Sequence, residues 1–112
     1  MELIEEHYKD GKLKSKRWFL NNVLHNENNP ACIWYYENGN IKYEGWFSYG
    51  KLNNTNGPAS IWYDESGNVE SKHWYLNNKR HNENGPAIIY YNIDGVITNQ
   101  QYFIDGRQVE SK

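Results

Sequence analysis

The chain repeats itself every 28 residues, and no other property of the sequence restricts its fold as strongly. Trp18, Trp46 and Trp74 stand 28 apart with Tyr102 as the fourth copy, and so do Gly11, Gly39, Gly67 and Gly95. Pro30-Ala31, Pro58-Ala59 and Pro86-Ala87 keep the same spacing, as do Tyr35, Tyr63 and Tyr91. Residues 29–56 match residues 57–84 at 12 of 28 positions without an insertion or deletion. The 112 residues therefore divide into units 1–28, 29–56, 57–84 and 85–112, a single repeat domain with no linker. Units of this size bury apolar surface only by stacking on their neighbours.

Each unit carries two turn signals. The first is Asp10-Gly11, Asn38-Gly39, Ser66-Gly67 or Asp94-Gly95, and the second is Asn21-Asn22, Tyr49-Gly50, Asn77-Asn78 or Asp105-Gly106. Asn-Gly and Asp-Gly between alternating apolar residues favour type I′ turns, whose two central residues both need φ > 0. A third break runs from Asn26 to Pro30 and recurs before Pro58 and Pro86. Proline lacks a ladder donor and drives the residue before it toward extended geometry, so it opens a strand. With 18 aromatics and 17 Asn against 3 Ala, a helical bundle is excluded. The expected fold is all-β: a single antiparallel meander, a twisted open sheet built from four units of β-hairpins.

Two-residue turns imply a register. Around Asn38-Gly39, Tyr36 faces Ile41, Trp34 faces Tyr43 and Cys32 faces Gly45 on a first side of the sheet. On the second side Tyr35 faces Lys42, Ile33 faces Glu44 and Ala31 faces Trp46, while beyond the next turn Phe47 faces Leu52. The second side holds the strictly repeated alanines, isoleucines, tyrosines and tryptophans, and is expected to form the core of the array. The first side varies: Tyr36 becomes Asp64 and Asn92, and Tyr43 becomes Ser71 and Asn99.

The stretch from Tyr35 to Trp46, Tyr-Tyr-Glu-Asn-Gly-Asn-Ile-Lys-Tyr-Glu-Gly-Trp, resembles a MORN repeat, with Tyr-x-x-Gly-x-x-x-x-Gly-x-Trp-like spacing. The stretch from Trp74 to Ala87 also resembles a Trp-x-x-Asn-Gly-Lys-x-His…Gly-Pro-Ala repeat of bacterial, phage and giant-virus proteins. Where that pattern has Arg after His, this chain has Asn26 and Asn82, and unit 2 has Asn53 in place of the His. The resemblance covers all four units and implies an open antiparallel sheet used as an interaction surface, without catalysis.

Several function classes are set aside on composition and motifs. No apolar stretch reaches the ~18 residues of a membrane-spanning helix, and the N-terminus lacks a secretory leader pattern. Cys32 is the single cysteine, so no intrachain disulfide forms, and a cytoplasmic setting is expected. A net charge of −2 argues against nucleic acid and anionic lipid as partners. Phosphate-cradling glycine loops, nucleophile elbows and clustered metal ligands are missing, so no enzyme, cofactor or metal site is expected. His25 and His81 share a slot with Asn53 and Val109, which points to a demand for moderate volume. Lys12, Lys14 and Lys16 line one side of an early strand and are expected to protect a sheet edge.

The expected function is a non-catalytic protein-binding module that masks a partner surface, with a phage-encoded inhibitor of a host defence protein as its concrete form. Candidate partner-binding residues are Trp34, Tyr36, Tyr43, Phe47, Trp62, His73 and Tyr75, because large rigid aromatics dominate protein interfaces. The alternatives are sequestration of a planar, nucleotide-like small ligand by aromatic stacking, and a structural homodimer in which the aromatic face meets its own copy.

Overall fold

The computed structural model describes residues 1–111. Every regular element is a strand. Unit 1 holds β1 (Glu2–His7), β2 (Leu13–Leu20) and β3 (Val23–Leu24); unit 2 holds β4 (Cys32–Tyr35), β5 (Ile41–Gly45), β6 (Phe47–Ser48) and β7 (Lys51–Leu52). Unit 3 repeats these as β8 (Ser60–Tyr63), β9 (Val69–His73), β10 (Tyr75–Leu76) and β11 (Lys79–Arg80). Unit 4 has β12 (Ile88–Tyr91), β13 (Ile97–Ile104) and β14 (Arg107–Val109). The main sheet is an antiparallel meander in the order β1-β2-β4-β5-β8-β9-β12-β13-β14, as the repeat requires.

The two turns of each unit differ. The second turns are type I′ in geometry: Asn21/Asn22, Tyr49/Gly50, Asn77/Asn78 and Asp105/Gly106 all have positive φ. In the first turns only the glycine does. Gly39 N–H donates to Tyr36 C=O at 3.0 Å and Tyr36 N–H donates to Asn40 C=O at 2.8 Å, a type I turn closed by a glycine bulge. Asn38 keeps negative φ, and its Oδ1 accepts from Asn40 N–H at 2.8 Å. The expected register is corrected accordingly. Trp34↔Tyr43, Ile33↔Glu44 and Cys32↔Gly45 pair, but the ladder then shifts, so that Tyr35 meets Ile41 and Lys42 is passed over.

Past Trp18, Trp46, Trp74 and Tyr102 the chain enters a second ribbon of short hairpins. These hairpins bond to one another across units: Gly50 N–H to Leu24 C=O at 2.7 Å, Asn78 N–H to Leu52 C=O at 2.9 Å, Gly106 N–H to Arg80 C=O at 2.8 Å. The Asn-rich loops return the chain to the main ribbon, and one side chain closes each: Asn26, Asn54 and Asn82 donate from Nδ2 to the carbonyls of Pro30, Pro58 and Pro86. The Asn that stands where the resembling repeats have Arg is therefore a loop clasp.

Burial follows the crease between the ribbons, not one face. Ala31, Ala59 and Ala87 are fully buried on the second side, and Cys32, Ser60 and Ile88 are buried on the first. Each alanine is held on both flanks: Ala31 C=O accepts from Trp18 N–H, and Ala31 N–H donates to Gly45 C=O. The expected restriction of the core to the second side thus gives way to a two-sided spine of small residues. Among the described residues no second layer covers either face. The radius of gyration is 14.9 Å, against about 13 Å for a compact chain of this length. The molecule is a slab of 46 × 37 × 17 Å.

Two smaller expectations change as well. The edge strand is β1, with Glu2, Glu5 and Glu6, while Lys14 and Lys16 lie on β2, which is paired on both sides. The edge is guarded by carboxylates. The slot of His25, Asn53 and His81 proves to need an acceptor: His25 Nδ1 accepts from Tyr49 N–H at 3.0 Å, Asn53 Oδ1 from Asn77 N–H at 3.0 Å, and His81 Nδ1 from Asp105 N–H at 2.9 Å. Each caps the second turn of the following unit.

Candidate functional site

Strand alternation and register put the first side's residues into rows that run across the strands. One row reads Glu6, Ser15, Trp34, Tyr43, Trp62, Ser71, Tyr90, Asn99. The next reads Ile4, Arg17, Cys32, Gly45, Ser60, His73, Ile88, Gln101. A third, on the second ribbon, includes Phe19, Leu24, Phe47, Leu52, Tyr75 and Arg80. At its centre, Cys32, Gly45 and Ser60, the middle row is small and buried, so the flanking aromatics there form two banks.

Trp34, Tyr43 and Trp62 are direct cross-strand neighbours at the centre. The Tyr43 and Trp62 rings lie 4.4 Å apart, tilted by 50°, and Tyr43 accepts a hydrogen bond from the Ser60 hydroxyl at 2.9 Å. Burial raises the Tyr43 phenol pKa, with the Ser60 contact opposing it. Trp62 remains 41% exposed and Tyr90, next but one along the row, 40%. Phe47 and Tyr43 close together over Gly45, where a Cβ would stand 2.8 Å from the Phe47 ring and from the Tyr43 hydroxyl. The same position is Arg17, His73 or Gln101 in the other units. Glycine there is what lets the two rings meet.

His73 bonds the Ser71 hydroxyl through Nε2 at 3.1 Å and sets its ring edge-on to Tyr90, 5.9 Å away. Burial, and secondarily the Arg80 charge, lowers its pKa. Tyr75 carries the Arg80 guanidinium over its ring at 5.8 Å. Tyr36 is different. It sits at the turn end of the face, and its hydroxyl donates to Tyr63 C=O in the next unit at 2.7 Å, as Tyr8 does to Tyr35 C=O. Its polar tip is spent on joining units.

Three residues outside the expected set belong to this face. Tyr90 follows Trp62 by 28 residues, so the repeat itself signals it. Arg17 places its guanidinium over Phe19 at 5.7 Å and Trp34 at 6.0 Å, and Arg80 lies over Phe103 as well as Tyr75. Burial raises the Cys32 thiol pKa, against opposing effects of Trp34 and Arg17, so it remains a thiol.

The opposite face is chemically distinct. Its central row runs Glu5, Lys16, Ile33, Glu44, Ile61, Lys72, Ile89, Gln100, with charges spaced among isoleucines. Tyr63 donates its hydroxyl to Glu44, and Lys72 lies over Tyr91. Between the Asn-rich loops, two equivalent grooves of about 520 and 480 Å³ open beside Trp46 and Trp74. Among the described residues no group of three or more His, Cys, Asp or Glu is placed to hold a metal ion. Nor, among those residues, is any helix long and apolar enough to cross a membrane. Comparison with protein-family models, curated proteins and solved structures returns no match.

Proposed function

We propose that this protein is a non-catalytic binding module that covers the surface of a partner protein with its first face. The observation that carries the reading is the aromatic row Trp34–Tyr43–Trp62, with Tyr90 beyond Ser71, in which Trp34 and Tyr43 are half-buried while Trp62 and Tyr90 stay exposed. Contiguous apolar surface of that kind marks interaction sites, and Trp and Tyr are the residues that carry most interface energy. The rings sit on strands, so little ordering entropy opposes docking. The resemblance of the units to MORN-type repeats, whose open sheets serve as interaction surfaces, supports the same reading. Masking of a host protein by a phage-encoded inhibitor is the form this activity takes in the proposal.

Affinity capture with quantitative mass spectrometry tests it, using the wild type and a Trp34→Ala/Trp62→Ala variant of equal thermal stability. The expected result is a small set of proteins held by the wild type and lost from the variant. Equal recovery by both proteins removes this face as the binding site.

A further inference from the structure

We propose that the first face takes an acidic protein segment in extended form, whose carboxylates are held by Arg17 at one end and Arg80 at the other. This inference rests on the protein-binding reading above and names the chemistry of the partner. Its starting point is a repeated arrangement. Each arginine has its guanidinium between two aromatic rings, Phe19 and Trp34 for Arg17, Tyr75 and Phe103 for Arg80, at 5.6–6.0 Å from the ring centres. A guanidinium flanked in this way presents a planar fork of donors, which suits a carboxylate.

Arg17 is partly satisfied within the molecule, by Glu6, and Arg80 has no carboxylate partner among the described residues. The Nε of each is buried without a hydrogen-bond partner. Arg17 has one long contact, 3.4 Å to Glu6, and among the described residues no carboxylate lies within 4.0 Å of Arg80. Beyond the edge strand β1, the two main rows of this face contain no carboxylate at all, although the chain as a whole carries −2. Its acids sit on the opposite face, at the turns and on the edge. The first face is thus a largely apolar surface with one cation on β2 and another on β11, two cations that bracket its central units. Desolvating the unpaired Arg80 guanidinium, or the weakly paired Arg17, against an apolar partner is unfavourable, and an anion on the partner offsets that penalty.

The spacing sets the ligand's length. From Phe19 to Arg80 the second ribbon crosses five strand-to-strand steps, β2 to β3, β6, β7, β10 and β11. At about 4.8 Å per step this is about 24 Å, the length of an extended segment of roughly seven residues. The aromatic bank between the two ends would take apolar side chains.

Fluorescence anisotropy on labelled synthetic nonapeptides provides the test. One set carries Glu at both ends around a Leu/Tyr-rich middle, a second set carries Lys there, and a single-stranded oligonucleotide serves as a non-protein polyanion. The wild type is expected to bind Glu-ended peptides about ten-fold or more tighter than Lys-ended ones, a preference that weakens with salt. The Arg17→Gln/Arg80→Gln variant should lose the preference, and Arg17→Lys/Arg80→Lys should restore only part of it, with folding of each verified by thermal melting. Equal binding of both peptide sets, with dependence on Trp34 and Trp62, overturns the acidic-ligand inference and leaves the protein-binding reading standing. Tighter, arginine-dependent binding of the oligonucleotide overturns it in favour of nucleic acid. Absence of binding by any Glu-ended peptide overturns it too, and captured partners that are lost on Trp34→Ala/Trp62→Ala would still support the broader reading.

Discussion

The two faces of the sheet both carry aromatic rings, yet they treat them in opposite ways. On the second face Tyr63 is tied to Glu44, Tyr91 lies under Lys72, and charges punctuate the row of isoleucines. On the first face Trp34, Tyr43, Trp62 and Tyr90 stand in a row that contains no charge between Ser15 and Asn99. The strictly repeated face is the one adapted to water, and the variable face is the one left apolar. Faithful repetition records what each unit needs from its neighbour, namely backbone continuity at Ala31, Ala59 and Ala87 and side chains that survive in solvent. Variation records where that demand is absent.

The comparison breaks most sharply at the spine. Ala59 is fully buried, with Trp46 N–H bonded to its carbonyl and its own N–H bonded to His73 C=O. Ala59→Leu has no space to occupy and should cost about 3 kcal/mol or more, since overpacking in a tight site displaces backbone as well as side chains. Trp62→Ala, on the exposed row, should cost less than about 1 kcal/mol while removing far more atoms. Urea unfolding of both variants against the wild type measures the contrast. Similar losses would mean that the first face also carries the fold.

A second comparison sets the cap slot against its terminal copy. His25, Asn53 and His81 each accept a turn N–H from the following unit, whereas Val109 fills the same place in unit 4. His25→Val should therefore cost about 1–2 kcal/mol, the penalty for leaving the Tyr49 N–H without a partner, plus the loss of the ring contact with Tyr49 at 4.2 Å. His25→Asn, which copies unit 2, should recover most of the difference. Equal destabilisation by the two substitutions would show that volume governs the slot.

Much of this architecture can be read from the residues alone. Alternation and turn length suffice to pair Trp34 with Tyr43, Cys32 with Gly45 and Phe47 with Leu52. The first turns were harder, because Asn-Gly is compatible with a type I′ turn and with a glycine-bulged type I turn. A side-chain oxygen accepts a loop N–H in every first turn, that of Asp10 or Asn38 in units 1 and 2 and that of Asp64 or Asn92, two positions earlier in the repeat, in units 3 and 4, local bonds that propensity does not rank. The cap slot and the arginine clamps were illegible for a different reason. His25 finds Tyr49, and Arg80 finds Phe103, only after neighbouring units stack through the second ribbon. Parity placed Trp34, Tyr43, Trp62 and His73 on one face, but could not show that the Tyr36 hydroxyl is engaged by Tyr63.

The smallest expected effect concerns His73, the histidine of the central rows, whose neutral state the fold favours. Burial among Ser71, Tyr90 and the Arg80 charge lowers its pKa from the ordinary 6.5. Above pH 6.5 the ring is neutral in both folded and unfolded chains and contributes no pH dependence. As pH falls through 6.5 the unfolded chain takes up a proton that the folded chain resists, so stability falls until the folded pKa is also passed. His73→Gln removes that term. Urea midpoints of wild type and variant, measured at pH 7.5 and pH 5.5, should diverge in one direction only: the wild type loses more on acidification. If the variant loses as much, His73 is protonated on the folded face. The middle row would then hold a second cation besides Arg17, and the boundary between the charged face and the uncharged one would have to be redrawn.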